Sequence, residues 1–132
     1  MRKKNSAPEF SSERSELLLN SFRASLARQS VISARRAFRE AAEQPAPRFW
    51  VSEARAVRVV RAFMHGEDPT VDMYPEKREM YLEIYRRFCS LRKENPGASL
   101  GDLVFTVVNS PAPRSYLSWH RTRQIIAKAR KS

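Results

Sequence analysis

The sequence predicts an all-α protein of two tandem three-helix units, each with a Pro-Ala-Pro-Arg extended loop before its third helix. Three observations carry that expectation. Apolar residues recur at helical spacing, prolines interrupt each half at the same place, and the second half repeats the first at an offset of 66 residues. The segment Gln44-Pro45-Ala46-Pro47-Arg48-Phe49-Trp50-Val51-Ser52 aligns with Ser110-Pro111-Ala112-Pro113-Arg114-Ser115-Tyr116-Leu117-Ser118. Between residues 45–60 and 111–126, six of 16 positions are identical and four more are like for like, so the alignment covers more than the loop. It continues upstream without a gap, pairing Ser33 with Ser99, Phe22 with Phe88 and Leu18 with Ile84.

The first helix is expected over 11–28. Ser11 or Ser12 can cap it, Glu13 and Glu16 suit its positive end, and Leu18, Phe22 and Leu26 form a stripe at a spacing of four. Its counterpart is expected over 75–93, opened by Pro75, with Tyr81, Ile84, Phe88 and Leu91 inward. The second helices are expected over 33–43 and 99–109. Asn95-Pro96-Gly97 breaks the chain before the latter, and Ser99 with Asp102 resembles a capping box. Ala34, Ala37, Phe38 and Ala41 would face inward in one, and Leu100, Leu103, Val104 and Val107 in the other. The β-branched residues near Val104 also suit a strand, but the aligned Phe38-Ala41-Ala42 context favours a helix.

Proline ends both second helices, because it cannot donate a backbone hydrogen bond and pushes its predecessor toward extended backbone. Residues 49–51 and 115–117 should continue extended, with Trp50 and Tyr116 filling the space between helices two and three. Ser52 and Ser118 should cap third helices over 53–64 and 119–130. Ala56, Val57, Val60, Phe63 and Met64 would face inward on the first of these, and Trp119, Thr122, Ile126 and Ala129 on the second, with Arg123 replacing the inward Val57. The expected layout is a basic flexible N-terminus over 1–10, units over 11–66 and 74–132, and a linker over 67–73.

The composition supports a packed core and a polyanionic partner. Hydrophobic residues make up 42% of the chain, while 25 Lys and Arg against 14 Asp and Glu give a net charge of +11. Cys89 is the single cysteine, which fits a reducing compartment. No apolar segment follows the basic N-terminus and no run approaches membrane-spanning length, so a cytoplasmic protein without membrane partners is expected, nucleoid-associated when bound to DNA.

Catalytic chemistry is not expected. His65 and His120 fall in different halves, one cysteine offers no zinc set, and three glycines form no phosphate-binding fingerprint. No catalytic residue, metal or cofactor is assigned.

The segments from Ser33 to Met64 and from Ser99 to Arg130 resemble the trihelical helix-turn-helix class of DNA-binding domains. The resemblance implies that the third helix contacts DNA. The chain departs from that class in its loop from Gln44 to Ser52, where the usual turn has three or four residues. The chain also resembles small proteins of phage or mobile-element regions, from which no function follows.

The expected nucleic-acid surface comprises Arg55, Arg58 and Arg61 on one third helix, Arg121, Gln124, Lys128 and Lys131 on the other, and Arg48 and Arg114 in the repeated loops. Residues 103–132 hold six Lys or Arg and no acid, the steepest charge asymmetry in the chain. DNA is favoured over RNA. The alternative expectation is a non-enzymatic assembly or accessory subunit of a phage or mobile-element protein or RNA complex, binding a protein partner or forming a homo-oligomer. Tyr74, Tyr81, Tyr85, Phe88 and Trp119 would then contribute to an interface.

Overall fold

A computed structural model describes residues 10–131. The N-terminal segment expected as a basic arm lies outside the described residues except for Phe10, which is buried. The described residues form six helices: α1 (Ser11–Arg28), α2 (Ala34–Glu43), α3 (Glu53–Met64), α4 (Pro75–Glu94), α5 (Leu100–Val108) and α6 (Trp119–Arg130). The all-helical class and helix positions therefore follow the apolar periodicity and the breakers.

The serines act as the spacing requires. The side chains of Ser33, Ser52, Ser99 and Ser118 each accept a hydrogen bond from the backbone N–H three residues on, satisfying one donor left free at each helix start. α1 differs from expectation. Phe10 is its N-cap and makes no side-chain capping bond, and Ser11 is already helical. The segment around Val104 is helix α5, with Leu103, Val104, Val107 and Val108 buried.

The tandem division does not coincide with the compact units. Unit 1 combines the chain up to Gln44 with residues from Leu117 onward; unit 2 is Pro45–Tyr116. Within unit 1, α6 packs on α1 and α2; within unit 2, α3 packs on α4 and α5. Each three-helix set thus takes its third helix from the other repeat. The prolines give the physical reason, since Pro45 and Pro47 hold the chain extended after α2 and prevent the tight reversal that would return α3 onto α1 and α2.

The core of unit 1 joins Leu18, Phe22, Ala37, Phe38, Ala41, Ile125 and Ile126. The Phe22 and Phe38 rings stack at 4.6 Å. In unit 2, Met80, Tyr81, Ile84 and Phe88 of α4 are buried, as are Ala56, Val59 and Val60 of α3. Burial thus recurs at aligned positions: Leu18 with Ile84, Phe22 with Phe88, Ala56 with Thr122, Val60 with Ile126. Val59 and Ile125 are buried beyond expectation, while Met64 and Ala34 are exposed. Arg123 is exposed and does not disturb the core.

The expected linker lies inside unit 2 as an ordered turn between α3 and α4. Thr70 is fully buried, and its N–H and hydroxyl both donate to Asp68 Oδ1, at 2.9 and 2.6 Å. Arg78 donates to Asp68 Oδ2 at 3.3 Å and to Thr70 Oγ1 at 3.2 Å. These bonds hold the Asp68 carboxyl below the usual carboxylate range, the Thr70 hydroxyl contributing most.

Candidate nucleic-acid interface

The expected surface residues divide between the two units. Arg48, Arg55, Arg58, Arg61 and Arg114 belong to unit 2; Arg121, Gln124, Lys128 and Lys131 belong to unit 1. Helices two and three of one repeat, which the helix-turn-helix resemblance takes as a single motif, lie in different units.

In unit 2 the loop arginines are engaged in structure. Arg48 Nε donates to the Phe49 carbonyl at 2.9 Å, and its Nη2 to the Val51 carbonyl at 2.7 Å. These bonds tie down loop carbonyls beside residues whose prolines supply no donors. Arg114 lies 3.5 Å from Glu79 Oε1, and its guanidinium sits 5.7 Å from the centre of the Tyr116 ring. Tyr116 has a left-handed backbone, φ 58°, and stacks on Phe49 at 6.0 Å. Trp50 is buried and its Nε1 donates to Ser115 Oγ at 3.0 Å, so it is a core residue with a satisfied indole. Arg87 donates to the Pro111 carbonyl at 2.7 Å and to Glu83 at 2.7 Å, and covers Phe49 at 5.0 Å.

Arg55, Arg58 and Arg61 of α3 are exposed and form no salt bridge with a described residue. Their positive charge opposes a second effect at Tyr81, whose hydroxyl is buried without a well-formed hydrogen bond. Burial raises the Tyr81 pKa, and Arg55 and Arg58 offset part of that rise.

Unit 1 concentrates the charge. Residues 10–44 and 117–131 hold eleven Lys and Arg against four Asp and Glu, whereas residues 45–116 hold eleven against nine. The excess therefore arises because the acid-free C-terminal segment packs as α6 against the arginine-rich α1 and α2. Within unit 1, Arg28 and Arg36 share one acid, Glu40, at 3.4 and 3.0 Å. Ser25, fully buried, donates to the same carboxylate at 2.6 Å and contributes most to lowering its pKa.

Four further cations of unit 1 lie on its surface. Arg23, Arg39, Arg123 and Arg130 are exposed and form no salt bridge with a described residue. Arg121, Gln124 and Lys128 follow one helical stripe of α6, continued by Lys131 at its C-cap, on the side away from the buried Thr122 and Ile126. Arg121 Nη1 donates to Gln124 Oε1 at 3.3 Å. Arg35 lies over the Trp119 ring at 4.7 Å, leaving this guanidinium at the surface of an aromatic face.

Neither a family model, nor a curated protein, nor a solved structure matches the chain. Among the described residues, no helix is long and apolar enough to cross a membrane, and no group of three or more His, Cys, Asp or Glu could hold a metal ion.

Sequence reasoning gives weight to the third helices and passes over Arg14, Arg23, Arg35 and Arg39. Their signal is local: α1 and α2 are themselves rich in arginine. What gives them weight is the arrival of α6, a partner more than 70 residues further along the chain.

Proposed function

We propose that the protein binds nucleic acid, duplex DNA ahead of RNA, through the basic surface of unit 1. The observation that carries this reading is the division of charge, eleven cations against four acids in unit 1 and eleven against nine in unit 2. Cations held on rigid helices suit phosphate contacts, and a cationic helix fits the major groove of B-DNA, whereas the deep, narrow major groove of A-form RNA excludes it. The α3 arginines of unit 2 add a secondary cationic stripe.

Fluorescence anisotropy with duplex DNA over a range of salt tests the proposal. Replacing Arg23, Arg39, Arg123 and Arg130 together with Gln should weaken binding and flatten the dependence of log affinity on log salt, by about 0.9 for each phosphate no longer neutralised. Replacing Arg55, Arg58 and Arg61 should have the smaller effect. A larger loss from the α3 variant would move the surface to unit 2.

One observation favours a second reading. Unit 2 exposes Tyr74 and Phe105, at 82% and 56%, together with Leu82. Such residues suit an assembly or accessory role in a phage or mobile-element complex. Absence of salt-sensitive binding to DNA and RNA, with salt-resistant association with a protein, would establish that role instead.

A further inference from the structure

The loop between α1 and α2 leaves two aliphatic side chains in water. Val31 and Ile32 are 85% and 62% exposed, and no other large apolar side chain among the described residues of unit 1 is exposed. Ile32 precedes Ser33, the N-cap of α2, where an apolar residue commonly packs onto the first turn, yet most of its surface stays uncovered. The loop that holds the pair is braced. Gln29 Oε1 accepts from the Ser33 backbone N–H at 2.6 Å, which closes the loop end to end, and Gln29 Nε2 donates to Ser25 Oγ at 3.2 Å. Ser25 is fully buried and donates in turn to Glu40 at 2.6 Å. Val and Ile are also stiff about χ1, so backbone and rotamer alike fix the exposed pair.

The aligned turn of unit 2 shows that a turn at this place does not need these residues. Gly97 and Ala98 stand where unit 1 has Val31 and Ile32, just before the N-cap Ser99. The charge around the turn changes with them. Arg28, Arg35 and Arg36, each within four residues of Ile32, align with Glu94, Gly101 and Asp102. The aliphatic pair and its cationic flanks thus occur together in the more basic unit and are absent together from the other. Arg28 and Arg36 share Glu40, and Arg35 rests on the Trp119 ring at 4.7 Å, so cations outnumber acids beside the tip.

An apolar point flanked by cations fits a polyanion with an apolar interior, and a DNA duplex is one, its stacked bases lying behind its phosphates. We propose that Val31 and Ile32 are a wedge that enters a base step of the bound duplex and kinks it, while Arg28, Arg35 and Arg36 hold phosphates on either side. The inference rests on the nucleic-acid reading and adds to it a mode of binding. Steps that unstack easily, a pyrimidine followed by a purine, are the ones it favours. An anionic membrane is the poorer occupant. Surface helices that enter lipid present a long apolar face, whereas α1 and α2 bury theirs through Leu18, Phe22, Ala37 and Phe38 and leave only two loop side chains outside.

Val31→Ser with Ile32→Ser removes the wedge at exposed positions, and Val31→Leu with Ile32→Leu keeps it apolar. Each protein is mixed with a duplex of about 25 base pairs carrying a dye at each end, centred on TA steps or on an A-tract. Energy transfer between the dyes reports bending, and anisotropy reports binding against salt. The wild type should raise energy transfer, more on the TA duplex than on the A-tract. The serine variant should bind with the salt slope of the wild type, since no phosphate contact is lost, and leave energy transfer at the level of free DNA. The leucine variant should bend DNA as the wild type does, and both variants should melt with the wild type.

DNA binding by the wild type without a change in energy transfer, or equal bending by the serine variant, would overturn the wedge and leave the nucleic-acid reading intact. No binding of the wild type to DNA would overturn both. Vesicles of phosphatidylserine and phosphatidylcholine are the counter-test. Binding to them by the wild type that the serine variant loses would assign the tip to lipid and overturn the wedge. A serine variant that melts well below the wild type would make the pair structural and overturn it too.

Discussion

Ala46 and Ala112, which occupy the same place in the two repeated loops, donate their backbone N–H groups to each other's carbonyls at 2.9 and 2.8 Å. Each lies between two prolines, so each Pro-Ala-Pro segment contains a single N–H donor, and both donors are used in this pair. The side chains are buried as well, at 3% and 2% exposure. The loop's repetition is therefore matched by a reciprocal bond in which each copy provides what the other needs.

Ala46→Pro and Ala112→Pro should accordingly cost similar amounts. Each removes one donor and leaves a buried carbonyl unmatched, a loss of about 1–3 kcal/mol. Denaturant unfolding of the two variants measures it. A cost confined to one of them would show that the pairing is not mutual in its energetics.

The compact units make a prediction about fragments. Residues 45–116 hold α3, α4 and α5 and should fold alone, with a helical circular-dichroism spectrum and a cooperative melt. Residues 10–66 hold α1, α2 and α3, but α3 packs on α4 and α5, so this piece should lack a cooperative transition. Independent folding of the second fragment would restore the tandem arrangement.

Phe22→Ala and Phe88→Ala remove aligned, buried rings from the two cores, and each should cost about 3–5 kcal/mol. Phe22→Ala removes the stack on Phe38, while Phe88→Ala removes the ring that packs on Tyr85 and under the Arg92 guanidinium. Equilibrium unfolding in a Trp119→Phe background, where the buried Trp50 indole of unit 2 is the sole fluorescent tryptophan, with far-ultraviolet dichroism as the global signal, separates the two effects.

Stability should fall in acid. Glu40 has its pKa lowered, chiefly by the Ser25 hydroxyl and then by Arg36, and Glu83 has its pKa lowered chiefly by Arg86. A carboxyl whose folded pKa is below its unfolded value stabilises the fold above the ordinary carboxylate range. That contribution disappears as the pH falls through the lower folded value. Glu40→Gln should lower the neutral plateau of melting temperature and leave the acid end nearly unchanged, so that the acid limb flattens. An unaltered acid limb would remove Glu40 from the cause.

The local structure is legible because it depends on neighbours in sequence. Ser52 and Ser118 announce α3 and α6, and Pro45 and Pro111 announce where the preceding helices have ended. The partner of each third helix is not legible. Val59, Val60, Ile125 and Ile126 offer an apolar face that suits either pair of first and second helices, so periodicity cannot choose between them. The same gap misdirects the site. In sequence, Arg55, Arg58 and Arg61 look like a ridge equivalent to Arg121 and Lys128, yet the two sets belong to units of different charge. Arg14 is legible in principle, since a cation in register with Leu18 and Phe22 breaks the apolar pattern of α1.

The division of the chain at Gln44 and Leu117 also sets an order of events during synthesis. A polypeptide leaving the ribosome N-terminus first exposes α1 and α2 early, but their third helix is translated only after the whole of unit 2. Unit 2 is contiguous and needs nothing beyond Tyr116, whereas α1 and α2 must wait for α6. Until α6 emerges, Leu18, Phe22 and Phe38 lack the apolar cover of Ile125 and Ile126, so the more cationic unit matures after the less cationic one.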